Sequence, residues 1–248
     1  MGILRCNRLT KSFDGVQALR DLNLTFPSTG IVAIIGPNGA GKTTLLNVLT
    51  GFLRPDAGQC FLGERETTRL APHRIARLGI ARTFQDLRLI LRVPLLDNVM
   101  LARPWQGGES LFGALFRIGV AKEERQNYDK AIHFLRFVGL EEKRDELVDE
   151  LSYGQQKLLT IACCLATEAR ILLLDEPVAG VHPTMGARIL DLLSDLRNRR
   201  LIVFIEHDIS AVRQVADLVI VMDKGGVIAQ GIPDEVLERR EIMEAYLA

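Results

Sequence analysis

The sequence predicts an α/β protein with a mainly parallel central sheet. Short apolar runs with the character of buried strands, such as 31–35 and 171–174, alternate with segments of helical periodicity along most of the 248-residue chain. Both runs are followed directly by Gly-rich or acidic residues. Alternating strands and helices are typical of parallel sheets, which bind ligands at the carboxyl ends of their strands. We therefore expect the chemistry of this chain at that edge of the sheet.

The individual elements follow from periodicity and from the positions of Gly and Pro. In the N-terminal part we predict strands at 3–9, 17–26, 31–35 and 58–63, a helix ending near 50–51, and a short helix at 72–78. Residues 86–158 are predicted to be mostly helical, most clearly over 122–138. Beyond them we predict strands at 171–174, 201–205, 218–222 and 227–229, helices at 184–197 and 209–216, and a last helix from Pro233.

Composition narrows the class of protein. The chain is 48% hydrophobic and 25% charged with a formal net charge of +0, so it can bury a substantial core and has no basic tract favouring nucleic acid as a partner. No apolar run reaches the roughly 18 residues of a membrane span, and the N-terminus lacks the layout of a secretory signal. Membrane association is therefore expected to be peripheral, through a partner. Four cysteines without metal-ligand spacing indicate core residues in a reducing compartment, namely Cys6, Cys60, Cys163 and Cys164.

A phosphate-binding motif lies between the predicted strand at 31–35 and the helix that follows it. Its residues are Gly36, Pro37, Asn38, Gly39, Ala40, Gly41, Lys42 and Thr43, with Thr44 next in the chain. The glycines let backbone N–H groups form an anion-binding nest, and the helix N-terminus adds about half a positive charge. Lys42 is expected to reach the β- and γ-phosphates, and the Thr43 hydroxyl to ligate Mg²⁺. The strand-before, helix-after context disfavours the alternative of a Gly-rich turn that binds nothing.

The second candidate site is a pair of carboxylates, Asp175 and Glu176, at the end of the run 171–174. Asp175 is placed to hold Mg²⁺ directly or through water, and Glu176 could polarise a water for attack on the γ-phosphate. The alternative is an Asp-Glu helix N-terminus, which the helix dipole also favours. The presence of a P-loop in the same chain makes the catalytic interpretation the stronger one.

These motifs, taken with Ser152-Tyr153-Gly154-Gln155-Gln156 and Ile205-Glu206-His207-Asp208, resemble the nucleotide-binding subunit of an ABC transporter from end to end of the chain. Three further segments resemble the ATPase subunits of branched-chain amino-acid importers. They are Gly79-Ile80-Ala81-Arg82-Thr83-Phe84-Gln85, Glu176-Pro177-Val178-Ala179-Gly180 and the ending 244–248. Urea and short-chain amide importers share several of these segments, and a lipid-exporting ABC system uses the same cassette, so both stay open as alternatives.

The resemblance implies a fold. It implies one ABC nucleotide-binding domain over 1–248, with a P-loop NTPase core and an N-terminal antiparallel β subdomain in 1–85 and 159–248. A helical lobe with the signature motif is implied at 86–158.

The resemblance also implies roles for residues outside the P-loop. It implies that Ser152, Gly154 and Gln155 close on ATP held by another subunit, although an ordinary helix N-cap is the alternative for Ser152. Gln85 is implied to contact Mg²⁺ and the attacking water, but a lone Gln is more often plain surface.

Two ring-bearing residues complete the implied site. His207 is implied to bond the γ-phosphate and to orient the water, with a core histidine as the alternative. Phe13 is implied to stack on adenine, with a core aromatic at a strand end as its alternative.

The partners implied are a second ATPase subunit, either a paralogue or a second copy, and two transmembrane permease subunits. A solute-binding protein is implied to act indirectly, and the location implied is peripheral, at the cytoplasmic face of the plasma membrane.

Rival classes of protein fit the sequence less well. A DNA-repair ATPase of the superfamily would need a coiled-coil insertion or zinc modules, a metabolite kinase would not need Ser152 and Gly154, and a non-catalytic module would lack Glu176 or His207.

Overall fold

The computed structural model describes residues 3–104, 120–239 and 242, so the ending 244–248 lies outside the described residues. The chain divides into two compact units, one of Met1–Arg82, Arg170–Ala179 and Pro183–Ala248, the other of Thr83–Ala169 and Gly180–His182. The finer assignment of 86–158 to a helical lobe stays a prediction.

Strands and helices alternate along most of the described chain. The first half contains β1 (Leu4–Phe13), β2 (Val16–Phe26), β3 (Gly30–Ile35), α1 (Lys42–Leu49), β4 (Ala57–Leu62), β5 (Arg65–Glu66), α2 (Pro72–Arg77), β6 (Ile80–Arg82) and α3 (Leu95–Leu101). The second half contains α4 (Val120–Phe137), α5 (Tyr153–Ala166), β7 (Ile171–Asp175), α6 (Pro183–Leu196), β8 (Leu201–Ile205), α7 (Ile209–Val215), β9 (Leu218–Asp223), β10 (Gly226–Gly231) and α8 (Pro233–Leu237).

The first unit is built on two sheets. The larger has the order β10-β9-β3-β8-β7-β6, and all its strand pairs are parallel except the β9–β10 hairpin at one edge. Strands β3, β7 and β8 are almost wholly buried, as expected of strands covered on both faces. Because β3, β7 and β8 run in the same direction, the residues that follow Ile35, Asp175 and Ile205 emerge at the same edge of the sheet.

The smaller sheet is antiparallel, with the order β2-β1-β4-β5. Its inner face contributes Leu4, Leu9 and Phe26 to a core that it shares with β3 and α1. The predicted fold class, an α/β cassette with an antiparallel N-terminal sheet and a parallel-rich core sheet, is confirmed.

The prediction differs from the observed sheets at three strands, one of which is the two-residue β5, too short to carry a periodic signal. Strand β1 continues to Phe13, whereas the prediction ended it at residue 9, because bulges in its pairing with β2 interrupt the alternation of buried side chains. The short strand β6 was not predicted at all, since three residues carry no periodic signal. It pairs in parallel with β7 and places Arg82 opposite Leu173.

The second unit contains α3, α4 and α5, which pack against one another around buried residues that include Leu95, Val99 and Leu135. Arg103, which is 8% exposed, lies among them. Its Nε donates to Asn127 Oδ1 (3.1 Å) and its Nη1 to the Ala166 carbonyl (2.8 Å). Within the described ranges, no helix combines the length and the apolar character needed to cross a membrane.

Candidate functional site

The loop between β3 and α1 has the backbone that a phosphate nest requires. Gly36, Gly39 and Gly41 all have positive φ, at 149°, 81° and 99°. A Cβ added to Gly36 would collide with the Met222 carbonyl, and one added to Gly41 would collide with the Ala18 carbonyl. Only glycine therefore fits these two positions, where the loop folds closely against its neighbours. The N-terminus of α1 follows directly and contributes its dipole.

Lys42 is the first residue of α1, and its side chain folds back onto this loop. Its Nζ donates to the carbonyls of Gly36 (2.6 Å) and Pro37 (2.8 Å), so the ammonium group is held inside the curve of the loop. Burial lowers the pKa of Lys42, and the negative charges of Glu176 and Asp175 oppose that shift. The ammonium group of Lys42 thus suits an anionic ligand, and the two carboxylates near it suit a divalent cation bound with that ligand.

Asp175 ends β7 and is 7% exposed. Burial raises the pKa of its carboxyl group, and the nearby guanidinium of Arg82 is the main influence in the opposite direction. The Arg82 Nη2 to Asp175 Oδ2 distance is 3.2 Å. The buried carboxylate therefore has a cationic partner within the same unit, which offsets part of the cost of its desolvation.

Glu176 has an unusual backbone for a non-glycine residue. Its φ of 51° lies in the left-handed region, and its amide donates to the Ile205 carbonyl (3.0 Å) at the end of β8. From this position its Oε1 lies 3.2 Å from His207 Nε2. Backbone strain of this kind costs about 1–3 kcal/mol and is concentrated at functional sites. The structure thus holds a carboxylate and an imidazole together at the carboxyl edge of the sheet.

Glu206 fixes the backbone around this pair. It is 2% exposed, and its carboxylate accepts from the amides of Val178 (2.8 Å) and His207 (3.2 Å). One buried side chain therefore ties the segment after Glu176 to the segment that carries His207. Asp208 then caps α7 by accepting from the amides of Ser210 and Ala211.

The other predicted residues of the first unit are accessible. Thr43 is exposed at the start of α1, and Thr44 next to it is half-buried. Phe13 is 45% exposed, so the core-aromatic alternative is wrong. The side chain of His207 is 40% exposed, which rules out the core-histidine alternative as well.

The remaining predicted residues belong to the second unit. Gln85 is exposed in the loop after β6, and Ser152 is the N-cap of α5. The Gln155 amide donates to Ser152 Oγ (3.4 Å) and the Ser152 amide to Gln155 Oε1 (3.0 Å), which forms a capping box, and Gly154 is buried beside it. The N-cap alternative is therefore present in the structure. A contact of Ser152, Gly154 and Gln155 with ATP stays a prediction.

Two residues in the site carried no predicted role. Arg82 and Glu206 both lie inside motifs that carry the family resemblance. The neighbouring sequence does not distinguish a buried, paired charged residue from a charged residue at the surface. The available signal was a charged residue inside or directly after an apolar strand, at 80–82 and at 201–205. Such residues are rarely fully buried unless they are paired.

The fold and this site define a P-loop nucleotide-binding cassette. Residues 19–179 match the family described as ABC transporter. The high-affinity branched-chain amino acid transport ATP-binding protein LivG of Salmonella typhimurium is 36% identical over 248 residues, covering 99% of this chain and 97% of its own. The chain belongs to the ABC transporter family, as an ATP-binding cassette of the kind that forms the ATPase subunits of transporters.

Solved structures agree with this assignment. An ABC transporter cassette in its ADP conformation has a TM-score of 0.86 at 32% identity and covers 100% of this chain and 99% of its own. A dimeric cassette in a post-hydrolysis state with ADP and Pi has a TM-score of 0.78 at 25% identity, over 93% of this chain and 98% of its own. The predicted family and ATPase class are confirmed, and cassettes of this fold bind nucleotide and form dimers.

Proposed function

We propose that this chain binds ATP with Mg²⁺ and hydrolyses it to energise an ABC importer, with branched-chain amino acids as the solute class. The observation that carries hydrolysis is the Glu176–His207 pair at 3.2 Å, whose carboxylate also interacts electrostatically with the ammonium group of Lys42. The solute class is supported by the near full-length similarity to LivG, which is named as a branched-chain amino acid transport protein.

The residues of the first unit fit the ligands proposed for them. The positive-φ glycines give the loop the curved backbone of an anion-binding nest, which suits the phosphates of a nucleotide. Thr43 and Asp175 supply a hydroxyl and a carboxylate, the oxygen ligands that Mg²⁺ prefers. When bound, Mg²⁺ would neutralise charge on the β- and γ-phosphates. Phe13, exposed at the end of β1, offers a ring face on which adenine can stack.

Each proposed step uses a group of this chain. Lys42 stabilises charge on the terminal phosphates. Glu176 accepts a proton from the attacking water, and His207 orients that water and bonds the γ-phosphate. The 3.2 Å contact between Glu176 and His207 holds the two side chains in position relative to each other, so that both can act on the same water. Gln85 is proposed, on the family resemblance, as a further contact to Mg²⁺ and water.

A second cassette completes the proposed enzyme. By resemblance, Ser152, Gly154 and Gln155 of one subunit close on the ATP bound by the other, and the partner is a paralogue or a second copy. The dimeric structure of a similar cassette with ADP and Pi supports this arrangement. Closure of the two cassettes would move the two permease subunits bound to them. A solute-binding protein would act through those permease subunits. The chain would then sit peripherally at the cytoplasmic face of the plasma membrane.

The test is purification of the tagged chain from its native membrane, identification of the co-purifying subunits, and an ATPase assay with and without leucine and the solute-binding protein. The expected result is recovery of two permeases and a second cassette, with hydrolysis that leucine stimulates. A complex with Glu176→Gln, purified identically, controls for contaminating ATPases. Stimulation by urea or a short amide instead, or recovery of lipid-export partners, would overturn the solute class. Equal hydrolysis by the Glu176→Gln complex that leucine also stimulates equally would overturn the catalytic assignment.

A further inference from the structure

Arg82 contacts Asp175 and the helix that carries Thr43, which are two of the residues proposed to hold Mg²⁺. It is the last residue of β6, beside β7, which ends at Asp175. Its side chain is 4% exposed and that of Asp175 is 5% exposed. A buried guanidinium is costly unless it is paired and hydrogen-bonded, so its contacts indicate what holds it there.

The guanidinium of Arg82 has partners on two elements. Nη2 donates to Asp175 Oδ2 at 3.2 Å. Nη1 donates to Asn47 Oδ1 at 2.6 Å and lies 3.4 Å from Thr50 Oγ1. Asn47 lies within α1 and Thr50 is its C-cap, so Arg82 joins the end of β7 to the helix that follows the phosphate loop.

This bridge has a consequence for the Mg²⁺ site. Thr43 is the second residue of α1, and Asn47 is one helical turn further along the same helix. Because α1 is a single short helix, a group anchored to Asn47 is also fixed relative to Thr43. The carboxylate of Asp175 is thus oriented relative to the helix that carries Thr43, another of the proposed ligands.

We propose that Arg82 is a positioning residue for Mg²⁺, which sets the orientation of the Asp175 carboxylate relative to Thr43 through its bond to Asn47. The inference rests on the proposed function, since it concerns the same Mg²⁺ site. Lysine cannot replace this arrangement, because an ammonium group lacks the planar fork that contacts two partners in fixed directions.

Two effects of removing Arg82 have opposite signs. If only its charge mattered, loss of the cation would strengthen the attraction between Asp175 and Mg²⁺. Loss of orientation would weaken Mg²⁺ binding, and replacing a partner that orients a metal ligand typically lowers metal affinity by about 10–100-fold. The direction of the change in Mg²⁺ affinity therefore shows which effect dominates. Weaker binding indicates that Arg82 orients Asp175, and tighter binding indicates that its charge only opposes Mg²⁺.

The experiment measures the binding of a fluorescent ATP analogue to the full-length chain over a range of free Mg²⁺ concentrations and in EDTA. We expect Arg82→Met to raise the half-saturating Mg²⁺ concentration at least about tenfold, while binding in EDTA is unchanged. Arg82→Lys should retain the charge and still raise the half-saturating Mg²⁺ concentration. The EPR spectrum of bound Mn²⁺ gives a second readout that does not depend on turnover.

Arg103→Met is the matched control. Arg103 is also a buried arginine that contacts an amide side chain, Asn127, and a carboxylate, Glu168 (3.3 Å), but it lies in the second unit. This variant should leave the Mg²⁺ dependence at the wild-type value. Asn47→Ala removes the anchor without touching Arg82 or Asp175, so it tests the same bridge if Arg82→Met does not fold. It should also weaken Mg²⁺ binding.

The outcomes separate this inference from the proposed function. A wild-type chain that binds ATP without any Mg²⁺ dependence would overturn the proposed function itself. Normal Mg²⁺ dependence in the wild type together with an unchanged or tighter Mg²⁺ requirement in Arg82→Met and Asn47→Ala would overturn only the role of Arg82. An equal loss of binding in EDTA and in Mg²⁺ would show that Arg82 has a structural role alone.

Discussion

The strained backbone at Glu176 gives a prediction that depends only on local geometry. Its φ is 51°, in the region that favours glycine. Glu176→Gly and Glu176→Ala both delete the carboxylate and its 3.2 Å contact with His207, so that loss is common to the two variants. The difference in stability between them therefore reports the backbone conformation.

The magnitude follows from two opposing contributions. A left-handed backbone costs an L-residue about 1–2 kcal/mol, and glycine escapes this cost. Glycine, however, loses about 0.5–1 kcal/mol more backbone entropy than alanine on folding. We therefore expect Glu176→Gly to exceed Glu176→Ala in unfolding free energy by roughly 0.5–1 kcal/mol. For a chain of this size that corresponds to a Tm difference of about 1–4 °C.

The assay is urea and thermal unfolding of both nucleotide-free variants, followed by far-UV circular dichroism. Asp191, an exposed residue in α6, provides the matched control position. There the order should reverse, with Asp191→Ala more stable than Asp191→Gly by about 1 kcal/mol, because glycine is a poor helix former. If Glu176→Ala equals or exceeds Glu176→Gly in stability, the backbone at this site is not strained and the reasoning is refuted.

Three further predictions concern Glu176, Lys42 and the N-cap of α5. Glu176→Gln should lower kcat by about 10²–10⁴-fold while ATP affinity is kept, as measured by single-turnover hydrolysis and equilibrium binding; near-normal turnover would contradict its role as base. Because burial lowers the pKa of Lys42, the folded protein releases that proton before the unfolded chain does. The stability of the nucleotide-free wild type relative to Lys42→Met should therefore rise with pH up to the ordinary lysine pKa of 10.5, and a decline in urea titrations would be inconsistent with this burial. Ser152→Ala should cost about 1 kcal/mol of unfolding free energy through loss of the capping box, and Gln155→Ala a part of it; no change in either would mean that the cap contributes nothing.

The site residues were predictable where a short sequence motif determines both the backbone conformation and the chemical groups. The phosphate loop needs glycines at fixed positions between a strand and a helix, and the structure has positive φ at Gly36, Gly39 and Gly41. Asp175 and Glu176 follow an apolar run that ends at the functional edge of the sheet. Short-range rules sufficed in both cases, because one strand and its following turn determine where these groups lie.

What escaped prediction depends on pairing between distant segments. Arg82 meets Asp175 only because β6 lies beside β7, although 93 residues separate the two positions in the chain. Glu206 reaches the Val178 amide because β7 and β8 are neighbours with matched register. The bulges that extend β1 to Phe13 likewise depend on its partner β2. Local periodicity carries no information about such pairings.

The most direct test of the central claim is leucine uptake by the complete complex in proteoliposomes, with Mg-ATP on the side of the cassettes. We expect ATP-dependent accumulation of leucine that requires the solute-binding protein and is lost in the Glu176→Gln complex. A complex that hydrolyses ATP through Glu176 but never accumulates leucine would contradict the account.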